Sequence, residues 1–73
     1  MTRHVINADI TGTVFKIETA VGAAVDVGAT LIVLESMKME IPVEAPAAGK
    51  VTEILVAEGA SINEGQPLIV VES

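Results

Sequence analysis

The sequence predicts an all-β domain in which two four-stranded antiparallel sheets form a flattened barrel or sandwich. Short apolar runs of Val, Ile and Leu are separated by regularly spaced glycines, as in β-sandwiches. No segment shows a helical period with capping residues at its ends. The chain also matches itself when it is shifted by 37 positions, which indicates an internal repeat. We therefore expect residues 1–73 to form a single domain.

The repeat is continuous over about two thirds of each copy. Residues 12–36 align with 49–73 without a gap, and 12 of the 25 positions are identical. We expect the shared glycines at turns, because glycine adopts positive φ at no steric cost. These glycines are Gly12 and Gly49, Gly22 and Gly59, and Gly28 and Gly65.

We expect each copy to contain one four-strand unit and a pseudo-twofold axis to relate the two units. We expect each copy to supply one sheet and to cover the apolar face of the other. The gapless register leaves no room for an inserted loop in the first copy. The apolar runs predict strands near 3–7, 12–20, 30–36, 39–44, 49–57 and 67–72, with short extended segments near 25–27 and 62–64.

Composition excludes several classes of function. Ten acidic and four basic residues give a net charge of −6, which disfavours binding to nucleic acid or to an anionic membrane surface. No apolar run approaches the ~20 residues that span a bilayer. The N-terminal residues lack the apolar segment of a signal peptide, so we expect a cytoplasmic protein. There is no cysteine, and the only histidine, His4, lies near the terminus, so no metal site is expected.

The segment between the two copies, residues 35–40, has two interpretations. In one, a single strand runs through it, and alternate side chains face opposite sides. In the other, the chain turns back at Met37 and Lys38, although the segment lacks the Gly, Asn or Asp that two-residue hairpins prefer. The copies abut between Ser36 and Lys38, and Lys38 aligns with Met1. The repeat therefore favours a turn, with Lys38 exposed at one end of the domain and both termini at the other.

The hexapeptide Glu35-Ser36-Met37-Lys38-Met39-Glu40 resembles the attachment sequence of biotin carboxyl carrier proteins, Glu-Ala-Met-Lys-Met. The segments 7–14 and 45–51 are similar to the sequence Ala-Pro-x-x-Gly-Thr-Val, with which each half of the domain opens in this family. The repeated spacing Gly-x-x-Val-x-x-Gly-x-x-Leu also fits, so that the resemblance covers nearly the whole chain. Ser36 departs from the common Ala, and Asp9 departs from the common Pro.

The resemblance implies a non-catalytic carrier that bears covalent biotin on Lys38. Glu35, Ser36 and Glu40 complete the tip motif. Its implied partners are a biotin protein ligase, which supplies biotinyl-adenylate, and the biotin carboxylase and carboxyltransferase of an acyl-CoA or related carboxylase. The resemblance also implies a flattened β-barrel that acts as a monomeric domain. Without an insertion, the protruding "thumb" of some biotinyl domains is expected to be absent.

Two alternatives to a biotin carrier also fit the sequence. Lipoyl domains share the fold and usually carry Asp-Lys-Ala at the tip, so the flanking Met37 and Met39 favour biotin. An unmodified structural module is the other alternative, although a purely structural hairpin has better turn residues available. Each methionine either contributes to partner recognition as adaptable apolar surface or packs in the core. We expect Lys16 and Lys50 to be solvated strand residues, and no serine–histidine pair or phosphate loop is present.

Overall fold

The strands of the domain follow the apolar runs of the sequence. The computed structural model describes residues 2–73. Within that range there is no helix, and hence none that is long and apolar enough to cross a membrane. Eight strands are present: β1 Arg3–Asn7, β2 Gly12–Ile17, β3 Ala24–Val25, β4 Thr30–Ser36, β5 Met39–Glu44, β6 Gly49–Ile54, β7 Ser61–Ile62 and β8 Pro67–Glu72.

Four of the strands, β1, β4, β5 and β8, have the predicted bounds. The others are shorter or shifted. β2 and β6 end at Ile17 and Ile54 rather than at 20 and 57, because the chain leaves the sheet there to enter a turn. β3 and β7 lie at 24–25 and 61–62 rather than at 25–27 and 62–64. The residues that follow them form turns, in which the carbonyls of Asp26 and Asn63 accept hydrogen bonds from the amides three residues later.

Each sheet contains strands from both copies, so the expectation of one sheet per copy is wrong. The strand orders are β1-β8-β6-β3 and β5-β4-β2-β7, and all pairs are antiparallel. If four is added to each strand number of one sheet, with β1 following β8, the result is the strand order of the other sheet. The predicted pseudo-twofold is therefore present, but it acts by exchanging strands between the copies. Exchange lets the long apolar strands β4 and β8 each lie between two neighbours, where their backbone groups are paired on both sides.

The same hydrogen bonds recur in both halves. The Gly28 amide donates to the Ala45 carbonyl at 2.8 Å, and the Gly65 amide donates to the Ala8 carbonyl at 2.8 Å. The connections between strands have equal lengths in the two halves, so there is no inserted thumb. This agreement, bond for bond, confirms the register that the sequence repeat predicts.

The core lies between the two sheets and consists of aliphatic side chains. Each fully buried aliphatic residue stabilises the fold by about 1.5–3 kcal/mol relative to an exposed one. The side chains that are less than 2% exposed are Val14, Leu31, Ile32, Leu34, Val51, Ile62, Leu68, Ile69, Val70 and Val71. They come from both halves and both sheets, so neither half can bury its own apolar face.

The ends of the domain are distinct. Thr2 and Ser73 pair through two backbone hydrogen bonds of 3.0 and 2.9 Å, which brings the termini together as predicted. Ser36 and Met39, their equivalents in the repeat, pair across the β4–β5 hairpin. The body measures 35 × 17 × 17 Å, with the hairpin at one end and the Thr2–Ser73 pair at the other.

Strand exchange makes the two halves interdependent, and a split chain tests this. Peptides 1–37 and 38–73, each alone at micromolar concentration, should show the circular dichroism of an unfolded chain and no cooperative thermal transition. The intact chain under the same conditions is the control. A cooperative β-sheet transition in either isolated half would contradict the exchanged topology.

Candidate functional site

The β4–β5 hairpin closes through a two-residue turn formed by Met37 and Lys38. Both residues have positive φ, 54° at Met37 and 66° at Lys38, and Ser36 pairs with Met39 across the turn. This is the type I′ geometry, whose twist matches that of the flanking strands. The predicted turn is confirmed, and the interpretation of residues 35–40 as one continuous strand is wrong.

The turn is conformationally strained. An L-residue other than Gly, Asn or Asp in the left-handed region costs roughly 1–2 kcal/mol. Every other positive-φ residue in the described chain is a glycine: Gly22, Gly28, Gly59 and Gly65. The strain is thus confined to Met37 and Lys38. Strain of this kind persists only where the surrounding structure holds it, and it is common at functional sites.

The side chains at the tip project into solvent. Met37 is 91% exposed and Met39 is 62% exposed, so the interpretation of either methionine as core packing is wrong. Lys38 is exposed and forms no ion pair with any residue in the range 2–73. Its amine is therefore accessible to another protein, on a flexible stem that leaves a firmly anchored hairpin.

The other lysines differ from Lys38 in their surroundings. Lys16 lies within β2, and its Nζ is 3.6 Å from the carboxylate of Glu18. Lys50 is exposed within β6, where its strand partners are Ala24 and Glu72. Both are strand residues, as predicted. Neither extends from the end of the molecule.

Two carboxylates lie directly below the turn. Glu35 and Glu40 are exposed and occupy opposite positions on β4 and β5. Like charges in directly opposite positions destabilise a strand pair. The equivalent row in the other sheet alternates in sign across Arg3, Glu72 and Lys50. The fold therefore accommodates complementary charges in this row, and the acidic pair is particular to the lysine end.

The base of the turn packs against the loop between β1 and β2, a contact that the sequence did not predict. A Cβ at Gly12 would collide with the carbonyl oxygen of Glu35 and would lie 3.3 Å from the Cβ of Ser36. Gly12 and Gly49 start strands and do not have positive φ, so their prediction as turn residues is wrong. In both copies of the repeat, the missing Cβ of this glycine lets the backbone of another strand approach closely. The Ser36 hydroxyl donates to the Thr11 carbonyl at 3.2 Å.

The hydroxyl of Thr11 extends this contact to a third loop. Its Oγ1 accepts a hydrogen bond from the Glu64 amide at 3.2 Å. Glu64 lies 53 residues away in sequence, and no local pattern connects the two positions. The only sign of this contact in the sequence is a difference between the two copies of the repeat, where Thr11 aligns with Ala48.

The site is a protrusion rather than a cleft. Two surface grooves lie elsewhere, one between the edge strands β1 and β5 and one beside the β2–β3 loop, and neither contains a residue from 35–40. Residues 2–73 contain no cluster of His, Asp and Glu that could hold a metal ion. The arrangement can present an amine to the active site of another protein.

Fold and site together define a small β-sandwich domain that displays one lysine on a hairpin tip. The model of the biotin/lipoyl family, described as biotin-requiring enzyme, matches residues 5–71. The chain belongs to this family. No curated protein sequence matches it.

Two solved structures are similar over nearly the whole chain. One is a single-chain, multi-domain long-chain acyl-CoA carboxylase, with 37% identity and a TM-score of 0.88 over 93% of this chain. The other is the urea carboxylase of Kluyveromyces lactis, with 32% identity and a TM-score of 0.92 over 99% of this chain. The chain spans only 7% and 6% of these two proteins. It is thus similar to one small domain within each.

If the turn is strained, residues that favour positive φ should relieve it. The double variant Met37→Asn, Lys38→Gly should raise the free energy of unfolding by about 1–3 kcal/mol, because Asn-Gly is well suited to a type I′ turn. For a domain of this size, each kcal/mol corresponds to roughly 4–8 °C in Tm. Calorimetry checks this, with Lys50→Gly as the matched control that should lower Tm. An unchanged or lower Tm in the double variant would show that the turn is not strained.

Proposed function

We propose that the chain is a biotin carboxyl carrier whose attachment residue is Lys38. The observation that carries the proposal is the isolation of this amine on a strained, solvent-exposed turn with a methionine on each side. Membership in the biotin/lipoyl family and similarity to domains within two carboxylases support it. The flanking Met37 and Met39 favour biotin over lipoate.

The residues present fit a covalently attached biotin. Lys38 Nζ would hold it through an amide, and none of the ion pairs in residues 2–73 competes for that amine. Attack requires the nitrogen lone pair, so the ligase must accept the proton that Nζ loses. Nζ then attacks the acyl carbon of biotinyl-adenylate, the bond from that carbon to the phosphate oxygen breaks, and AMP leaves. When bound, biotin carries a carboxyl group between two active sites.

The chain's own residues contribute position and recognition. The hairpin anchors the attachment point while the lysine stem stays mobile. Amide formation removes the only positive charge of the tip, so that a partner then meets two exposed methionines above the carboxylates of Glu35 and Glu40. Methionine suits surfaces that dock on several partners in turn. The partners that we propose are a biotin protein ligase, a biotin carboxylase and a carboxyltransferase.

In this proposal the chain is a carrier without catalytic activity of its own, and residues 1–73 act as one monomeric domain in the cytoplasm. Catalysis belongs to the carboxylase and the carboxyltransferase, which also select the acyl or related substrate. Lipoate on the same lysine is the nearest alternative. It would give an adduct of different mass that streptavidin does not capture.

Replacement of the lysine tests the site. Lys38→Arg should abolish labelling by purified biotin protein ligase, biotin and ATP, because a guanidinium stays protonated and offers no free lone pair. The exposed tip should tolerate the change, with an unfolding free energy within about 0.5 kcal/mol of wild type. Streptavidin blotting and intact mass report the label, and circular dichroism reports the fold.

The other two lysines supply matched controls. Lys16→Arg and Lys50→Arg should accept one biotin per chain, as should the wild type. A streptavidin signal on Lys38→Arg, or two additions on the wild type, would place the site elsewhere. Addition of lipoate but not biotin, after incubation with the ligases for both, would identify a lipoyl carrier instead.

A further inference from the structure

The hydrogen bonds at the two ends of the domain are not equivalent. Backbone bonds repeat in both halves, but the side-chain bonds at the base of the lysine hairpin occur once. Thr11 accepts from the Glu64 amide through its hydroxyl and from the Ser36 hydroxyl through its carbonyl, at 3.2 Å in each case. These two bonds join the β1–β2 loop, the β7–β8 loop and the β4–β5 hairpin.

The pseudo-twofold provides an internal comparison. At the other end, Ala48 occupies the position of Thr11 and has no hydroxyl. The amide of Val27, which corresponds to the amide of Glu64, therefore has no side-chain acceptor at this position. Ser73 occupies the position of Ser36, but its hydroxyl lies 3.2 Å from Nε2 of His4 instead. The same backbone thus forms without these two bonds. They are not a requirement of the fold.

We propose that Thr11 and Ser36 are positioning residues, which hold the strained Met37–Lys38 turn in the geometry that the modifying ligase binds. The turn needs external support because both of its residues have positive φ without being Gly, Asn or Asp. Gly12 makes this support possible, since its missing Cβ lets the β1–β2 loop approach Glu35 and Ser36. The part of the proposal that concerns the ligase rests on the proposed function, whereas the part that concerns the turn does not.

A turn held in one conformation is ordered before the ligase binds. Binding then does not incur the entropic cost of ordering the turn, and every molecule is already in the conformation that the ligase binds. Loss of either hydroxyl should therefore weaken recognition of the tip rather than slow the chemistry on Nζ. This separates the role of Thr11 and Ser36 from that of Lys38, which reacts.

Amide hydrogen exchange on the unmodified domain tests the turn directly. In Thr11→Ala and Ser36→Ala, the Met39 amide should exchange about 3- to 10-fold faster than in wild type, the factor expected for loss of one hydrogen bond. The Leu34 amide, within the same hairpin but in the core, should change much less. Thr11→Ala installs the residue that the other half already carries, so a folding failure is not expected.

Two further variants make the test specific. Ser73→Ala removes the equivalent hydroxyl at the other end and should leave the Met39 amide unchanged. Met37→Asn, added to Ser36→Ala, should restore slow exchange at Met39, because Asn adopts positive φ more readily. Equal acceleration at Met39 and Leu34, no acceleration in Thr11→Ala and Ser36→Ala, or no rescue by Asn would overturn the positioning role.

Ligase kinetics complete the test. With purified biotin protein ligase, Thr11→Ala should raise the KM for the domain by about 3- to 10-fold and change kcat less than 2-fold. An unchanged KM, or a loss confined to kcat, would overturn the proposal. Failure of the wild-type domain to accept biotin would instead contradict the proposed function, and the exchange results would still decide whether Thr11 and Ser36 hold the turn.

Discussion

The exchange of strands between the two halves is the constraint on which the rest of the structure depends. Each sheet takes two strands from each copy of the repeat, and the single core cluster contains side chains from both copies. The central strands β4 and β8 contribute most of the side chains that are fully buried. A chain of 73 residues without cysteine gains its stability in this way, from an aliphatic interior that the two halves bury mutually.

The same symmetry determines where the lysine lies. The pseudo-twofold relates the Thr2–Ser73 pair to the Ser36–Met39 pair, so the chain must turn at one of these places and can begin and end at the other. The turn at Met37 and Lys38 carries backbone strain and an acidic pair, Glu35 opposite Glu40, that the other end does not carry. Both features lower stability locally. The Thr2–Ser73 end carries neither feature, and local departures of this kind are typical of functional sites.

Much of this could be predicted from the sequence because glycine spacing and apolar runs act locally. The bounds of four strands followed from the apolar runs, and the gapless register and the turn at Met37 and Lys38 followed from the repeat. The pairing of strands did not, since the pattern of an amphipathic strand does not specify which sheet it joins. The close approach of Gly12 to Glu35 and the bond from Glu64 to Thr11 join segments distant in sequence, and only the folded chain brings them together.

The fold holds Met37 and Lys38 in a strained left-handed turn at the end of the molecule. The most direct test is to determine the backbone φ angles of these two residues in solution, from NMR scalar and residual dipolar couplings on the unmodified domain. We expect positive φ at both residues in a single, well-populated conformation. Negative φ at either residue, or averaging over several conformations, would contradict it.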